Sequence, residues 1–448
     1  MARGGLAALT AATTLLSAGA AWAQEAAPVA AAAAPTLDKG DTAWMLVSTL
    51  LVLLMLIPGL ALFYGGLVRK ENVITTVAQS FMTCCVASVL WVMFGYSLAF
   101  TEGSAFIGGL DRVFLKGLEL GSLSGTIPES VFIMFQLTFA AITTALILGA
   151  VADRAKFSGI LVFAAIWFVL VYCPVAHWVW GPKGFLGGTG MTDYAGFLGL
   201  GPILDFAGGT VVHVNAGVAG LVCAIVLGRR QGFGQQSFPP HNLVLSLIGA
   251  SLLWVGWFGF NAGSAVASGD RAGMAMLVTH VATATAALSW MFVDWAANGK
   301  PSVLGLISGA VAGLVAITPA SGFVGVTGAF AIGISAGVFC FWAAKIIKDQ
   351  FKVDDSLDVF SVHGVGGIVG SILTGVFAEK AIGGASGLLE GNITQLWAQI
   401  AGTAVVVVYT AVVTFIILKV VQLTVGMRVD DKIEKSSLDL HLHGETVL

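Results

Sequence analysis

Apolar runs of about twenty residues, each closed by a short polar or glycine-rich break, recur along nearly the whole chain. A helix of that length crosses a bilayer. The runs predict eleven helices, near 44–67, 75–100, 130–150, 157–178, 208–228, 242–262, 273–295, 302–318, 323–346, 358–378 and 395–425. The first residues read differently: Arg3, a short apolar stretch from Leu6 to Leu16, and an Ala21-Trp22-Ala23 cleavage signal make a signal peptide of residues 1–23. Residues 24–41 are then an Ala/Pro-rich periplasmic lead-in, 42–425 a transmembrane domain and 426–448 a cytoplasmic tail.

Composition agrees with this reading. Of 448 residues, 57% are hydrophobic and 10% charged, and the mean hydropathy is +0.93, which describes an all-α polytopic membrane protein with the lipid bilayer as its surroundings. The net charge of −3 gives no reason to expect a nucleic-acid partner. Charge placement is more informative than its sum. Loops expected inside carry Arg69, Lys70, Arg154, Lys156, Arg229, Arg230, Lys300, Lys345, Lys348 and Lys352, and the last helix and tail add Lys419, Arg428, Lys432 and Lys435. Loops expected outside carry only Arg112, Lys116, Lys183, Arg271 and Lys380. The positive-inside rule therefore places the N-terminus outside and the C-terminus inside, in agreement with an odd number of crossings.

Cys84, Cys85, Cys173, Cys223 and Cys340 all lie in apolar segments without metal or disulfide spacing, so they read as small hydrophobes, with no metal or cofactor expected. Gly305, Gly309 and Gly313, and likewise Gly366 and Gly370, form small-residue ridges suited to close helix packing. Gly333-Ile-Ser-Ala-Gly337 has the spacing of a nucleophile elbow but lacks the strand that must precede one. With no zinc-protease motif, phosphate-binding loop or dinucleotide fingerprint either, an enzyme is not expected.

Two histidines stand out. His213 and His363 lie in the fifth and tenth helices, each following an acidic residue and an aromatic, Asp205-Phe206 and Asp358-Val-Phe360. An ionisable group inside a membrane helix marks a functional site by default, and imidazole both donates and accepts near neutral pH. Each could also be a core histidine satisfied by a backbone carbonyl. Halves of five helices have opposite topology, so an inverted five-plus-five repeat would bring this pair together near the midplane. Phe135 and Phe139 share a face of the third helix with Gln136 beside them, and Trp257, Phe260, Asn261 and Ser264 form a stripe on the sixth. Such a stripe serves packing as readily as function. Asp205 reads as a helix N-cap, an electrostatic influence on substrate, or both, and Asp358 has the same ambiguity.

Four segments, Ile57-Pro-Gly-Leu-Ala-Leu-Phe-Tyr-Gly-Gly66, Asp205 to His213, Gly256 to Ser264 and Val353 to Gly364, resemble the Amt/MEP/Rh ammonium transporter family, closest to its bacterial members. The resemblance runs from about residue 41 to the tail. It implies a homotrimer in the bacterial inner membrane with one central pore per protomer, and ammonium or ammonia as substrate, with methylammonium as surrogate. By motif, Phe135, Trp180 and Ser264 would recruit ammonium, Phe139 and Phe260 would gate, and His213 and His363 would line the pore and relay protons. Asp205 would support the vestibule and deprotonation, with Gln136, Trp257, Asn261 and Asp358 in supporting places. The tail, including His441 and His443, implies docking of a PII signalling protein. An ammonium sensor and an electroneutral ammonia channel remain alternatives to electrogenic uptake.

Overall fold

The computed structural model describes residues 36–187 and 196–447, so the signal peptide and residues 24–35 of the lead-in lie outside the described residues. The long helices all belong to the unit Leu37–Leu448. They are α1 (Lys39–Leu67), α2 (Lys70–Phe100), α3 (Glu129–Val151), α4 (Phe157–Trp180), α5 (Gly209–Leu227), α6 (Leu243–Ala262), α7 (Asp270–Asn298), α8 (Val303–Ile317), α9 (Val326–Gln350), α10 (Phe360–Phe377) and α11 (Ile393–Thr424). Among the described residues, ten are long and apolar enough to cross a membrane, and α8 is a shorter apolar helix. Each overlaps one of the apolar runs. Several starts are written in the sequence as side-chain caps: Asp38 accepts from the Asp41 N–H, Asn242 from Leu245, Ser302 from Gly305 and Asn392 from Gln395.

Glycines set how closely these helices pack. Gly305, Gly309 and Gly313 of α8 face Trp290 and Ala286 of α7 and their neighbours, while Gly333 and Gly337 of α9 meet the same helix at Ala282 and Ala286. A methyl group at any of them would press on α7, so both patterns are close-packing surfaces. The outward surface is apolar, with Phe330, Phe339, Val408, Val412 and Ile416 among its exposed side chains. A hydrocarbon surround accounts for that inversion of soluble-protein surface chemistry.

The loops after α1, α3, α5 and α9 gather with the tail at one face. Arg230 donates to Asp354 through Nε and Nη2 and to Asp153 at 3.0 Å, while Asn72 donates to Asp153 at 2.6 Å. Burial alone would push the Asp354 carboxyl up; the hydrogen bonds and charge of Arg230 outweigh it and hold it below its ordinary value. Two short tail helices, α12 (Asp431–Lys435) and α13 (Leu438–His443), dock on this face. Asp439 accepts from the Ile74 and Thr75 N–H groups at the start of α2, and Arg428 donates to Glu434 and to the Leu227 carbonyl. The tail thus caps a helix of the body rather than hanging from it.

Candidate functional site

The three turns that carry the central side chains are wider than an α-helix. His213 lies in Gly209–Val214, His363 in Phe360–Val365 and Phe260 in Phe258–Ala262, each a π-helical turn. A π-turn rotates the residues beyond it relative to an ideal helix and is frequent at functional sites. That rotation corrects the expected α6 stripe. Ser264 lines a cavity and Phe260 stacks on Phe139 beside it, whereas Asn261 is fully buried and donates to Thr279 of α7 at 2.9 Å. Trp257 lies beneath His213 and donates to Thr318 at 2.9 Å.

A cavity of about 400 Å³, termed outer after the orientation expected from loop charge, is lined by Phe135, Gln136, Phe139, Trp180 and Ser264, with Tyr96 and Phe206 among its other walls. The Trp180 indole is fixed by donation to the Asp205 carbonyl at 2.9 Å, and its ring meets Phe139 edge-on. Ser264 donates to the Phe260 carbonyl at 2.8 Å, which leaves its oxygen lone pairs for another donor. The Gln136 side-chain carbonyl is buried without a protein partner.

Below this cavity the path is closed by rings. Phe139 and Phe260 stack with centroids 4.2 Å apart, Phe260 stacks on His213 at 5.8 Å, and His213 on His363 at 5.3 Å. The two Nδ1 atoms are 3.3 Å apart. One must carry the proton and the other accept it, so the rings hold opposite tautomers. Neither ring is the core histidine tied to a backbone carbonyl that the sequence left open, and His213 Nε2 has no protein partner. His363 also borders a second cavity of about 100 Å³, which reaches Tyr64, Ser308, Lys348 and Asp358 on the far side. The rings can meet because α5 and α10 touch at glycine: a Cβ on Gly217 would collide with the Gly364 backbone.

The acidic residues divide their work differently from the sequence expectation. Asp205 does cap α5, with one oxygen accepting from Gly208 and Gly209 and the other from Thr210 and Val211, at 2.6–3.0 Å. Four N–H groups occupy its carboxylate, which leaves it poorly placed to take a substrate proton. On α10 the cap is Asp355 rather than Asp358: Asp355 accepts from Val359 at 3.1 Å and Phe360 at 2.7 Å. Asp358 instead pairs with Lys348 at 2.7 Å beside the second cavity. The matched spacing is Asp205 to His213 and Asp355 to His363, eight residues in both. Alignment on the aromatic residue hid that equality. Burial, then the charge of Asp358, push the Asp355 carboxyl up to about 6.

Residues 43–448 match the Ammonium Transporter Family. The chain is 49% identical to an ammonium transporter of Aquifex aeolicus over 411 residues, covering 91% of this chain and 93% of the relative. It is 47% identical to one of Bacillus subtilis over 413 residues, covering 91% and 98%. Among solved structures, Saccharomyces cerevisiae Mep2 superposes with a TM-score of 0.80 at 36% identity, covering 88% of this chain and 91% of that one. A structure described as a sensor Amt protein superposes at 0.82 with 28% identity, covering 90% and 98%.

Proposed function

The chain belongs to the ammonium transporter family, and from that premise we propose that it recruits ammonium at the outer cavity and passes ammonia and a proton separately to the cytoplasm. It is a multi-pass membrane transporter, not an enzyme. The observation that carries the mechanism is the unbroken series of rings from Phe139 through Phe260 and His213 to His363, with a cavity at each end. In this reading Phe135 and Trp180 offer π faces to a small cation and Ser264 accepts one of its N–H groups. Carrying an intact ion past the phenyl stack costs far more than releasing its proton first. Potassium has no proton to release, so deprotonation supplies selectivity that size cannot.

Ammonia then crosses the stack as a neutral molecule, hydrogen-bonded to the imidazoles, while the proton passes between their nitrogens and rejoins ammonia inside. One positive charge moves per ammonium, so transport is electrogenic. Asp205 acts by position, fixing the first turn of α5 and the indole of Trp180. We place the N-terminus outside after signal cleavage and the C-terminus inside the bacterial inner membrane. The chain works as a homotrimer whose inner face and docked tail receive a PII protein. A pull-down at low 2-oxoglutarate that recovers no PII protein, with regulation unchanged by tail deletion, would remove that partner.

The transport reading is tested by an ammonium jump on proteoliposomes containing the purified protein. A transient current that potassium does not reproduce is expected; pH-detected ammonia flux without current would make it an electroneutral channel. The likeness to a sensor Amt protein favours one second reading, in which occupancy is reported to a partner. Saturable ammonium binding with neither current nor flux would put that reading first.

A further inference from the structure

We propose that the Glu129 carboxylate draws cations into the outer cavity and that Arg112 restrains it; this rests on the transport reading above. Glu129 opens α3, and Phe132, Gln136 and Phe139 come three, seven and ten residues after it, on one face of that helix. Those three side chains line the outer cavity, and no side chain lining it bears a formal charge. Glu129 therefore stands at the outer end of the cavity wall, about 9 Å of helix rise from Phe135.

Its setting is that of a built electrostatic element. The carboxylate is 11% exposed, and its Oε1 accepts from the Tyr96 hydroxyl at 2.8 Å and from Arg112 at 2.7 Å. Tyr96 is itself a wall of the cavity, so one hydrogen bond separates wall and carboxylate. Arg112 is 25% exposed, and solvent screens it more than the buried acid it faces. The N-terminus of α3 carries the positive end of the helix dipole toward incoming cations, and an acid in the first turn offsets it. Two charged groups that adjoin the cavity wall at Phe206 are otherwise engaged. Asp205 is saturated by backbone N–H groups, and the Arg271 guanidinium lies over the Phe206 ring at 4.9 Å.

An ion pair that merely braces the loop and an acid that attracts substrate predict different signs, and paired variants separate them. Ammonium-jump currents on proteoliposomes give KM and the saturating current. Glu129→Gln keeps an acceptor for Tyr96 and should raise KM about three- to tenfold at low salt, less at high salt, with the saturating current within about twofold. Arg112→Gln should lower KM about two- to threefold. A rise in KM with Arg112→Gln, or an unchanged KM with Glu129→Gln, overturns the proposal. Should Glu129→Gln not fold, the direction of the Arg112→Gln shift decides alone. Ser264→Ala keeps the two readings apart: its raised KM beside unmoved Glu129 and Arg112 variants sinks this inference only, whereas no transport by the unaltered protein sinks the transport reading.

Discussion

Asp205 and Asp355 each stand eight residues ahead of one of the two stacked histidines, yet Asp205 gathers four backbone N–H groups and Asp355 only two. The surroundings differ in the same sense. The α5 start lies beside Trp180 and the aromatic outer cavity, whereas α10 begins next to the Lys348–Asp358 pair at the inner cavity. In the proposed mechanism a cation is stripped of its proton at the outer end, where rigid placement of Trp180 and His213 would matter. In the same proposal the inner end has only to let ammonia regain a proton, and a polar, charged mouth would serve that step. Similar helices thus carry unequal demands.

Replacing the two caps should expose the inequality most strongly. Asp205→Ala orphans four N–H groups and is expected to cost about 3 kcal/mol or more, against about 1–2 kcal/mol for Asp355→Ala. Thermal unfolding in detergent reads the difference, and equal losses would dissolve the contrast.

Acid sharpens it next. The Asp355 carboxyl is raised from 3.8 to about 6, so its neutral form is favoured in the folded chain. The stability it contributes is complete below the unfolded value and is lost as pH rises through about 6. Raising the pH from 4 to 7 should therefore remove roughly 2–3 kcal/mol that Asp355→Asn does not lose. Asp354 has the opposite sign: its lowered carboxyl contributes above its ordinary value, and that contribution disappears as pH falls through the folded one. A pH profile unaltered by Asp355→Asn would mean that the cap is ionised throughout.

The smallest effect on stability concerns the glycine crossing. Gly217→Ala drives a methyl into the Gly364 backbone, while Gly364→Ala meets only the movable ring of Phe360. The first should cost about 1–3 kcal/mol and slow transport by separating the imidazoles, and the second about 1 kcal/mol or less. Unfolding midpoints and ammonium currents on the two variants check the order.

Much of this was legible in the residues. Apolar length located the ten helices long enough to cross a membrane and the shorter α8, because lipid imposes one dominant rule on such segments, and the long motifs around His213, Phe260 and His363 pointed to the rings that the fold brings together. Three features escaped. Ideal helical spacing put Asn261 on one stripe with Trp257, Phe260 and Ser264, but within the π-turn over Phe258–Ala262 it is buried against Thr279. Alignment on an aromatic made Asp358 the partner of Asp205, although equal spacing to the histidines would have found Asp355. The buried Arg230–Asp354–Asp153 cluster and the Asp439 cap join segments far apart in the chain, and no local pattern announces such pairs.

In the proposed mechanism the facing imidazoles carry a proton apart from ammonia. That step is tested most directly by the ammonium-jump current of a His213→Ala/His363→Ala double variant beside the unaltered protein, each repeated with potassium. The ammonium-specific current is expected to fall at least about tenfold in the double variant, or to survive only as a current that potassium now shares. A double variant that keeps the full current and still excludes potassium would contradict it.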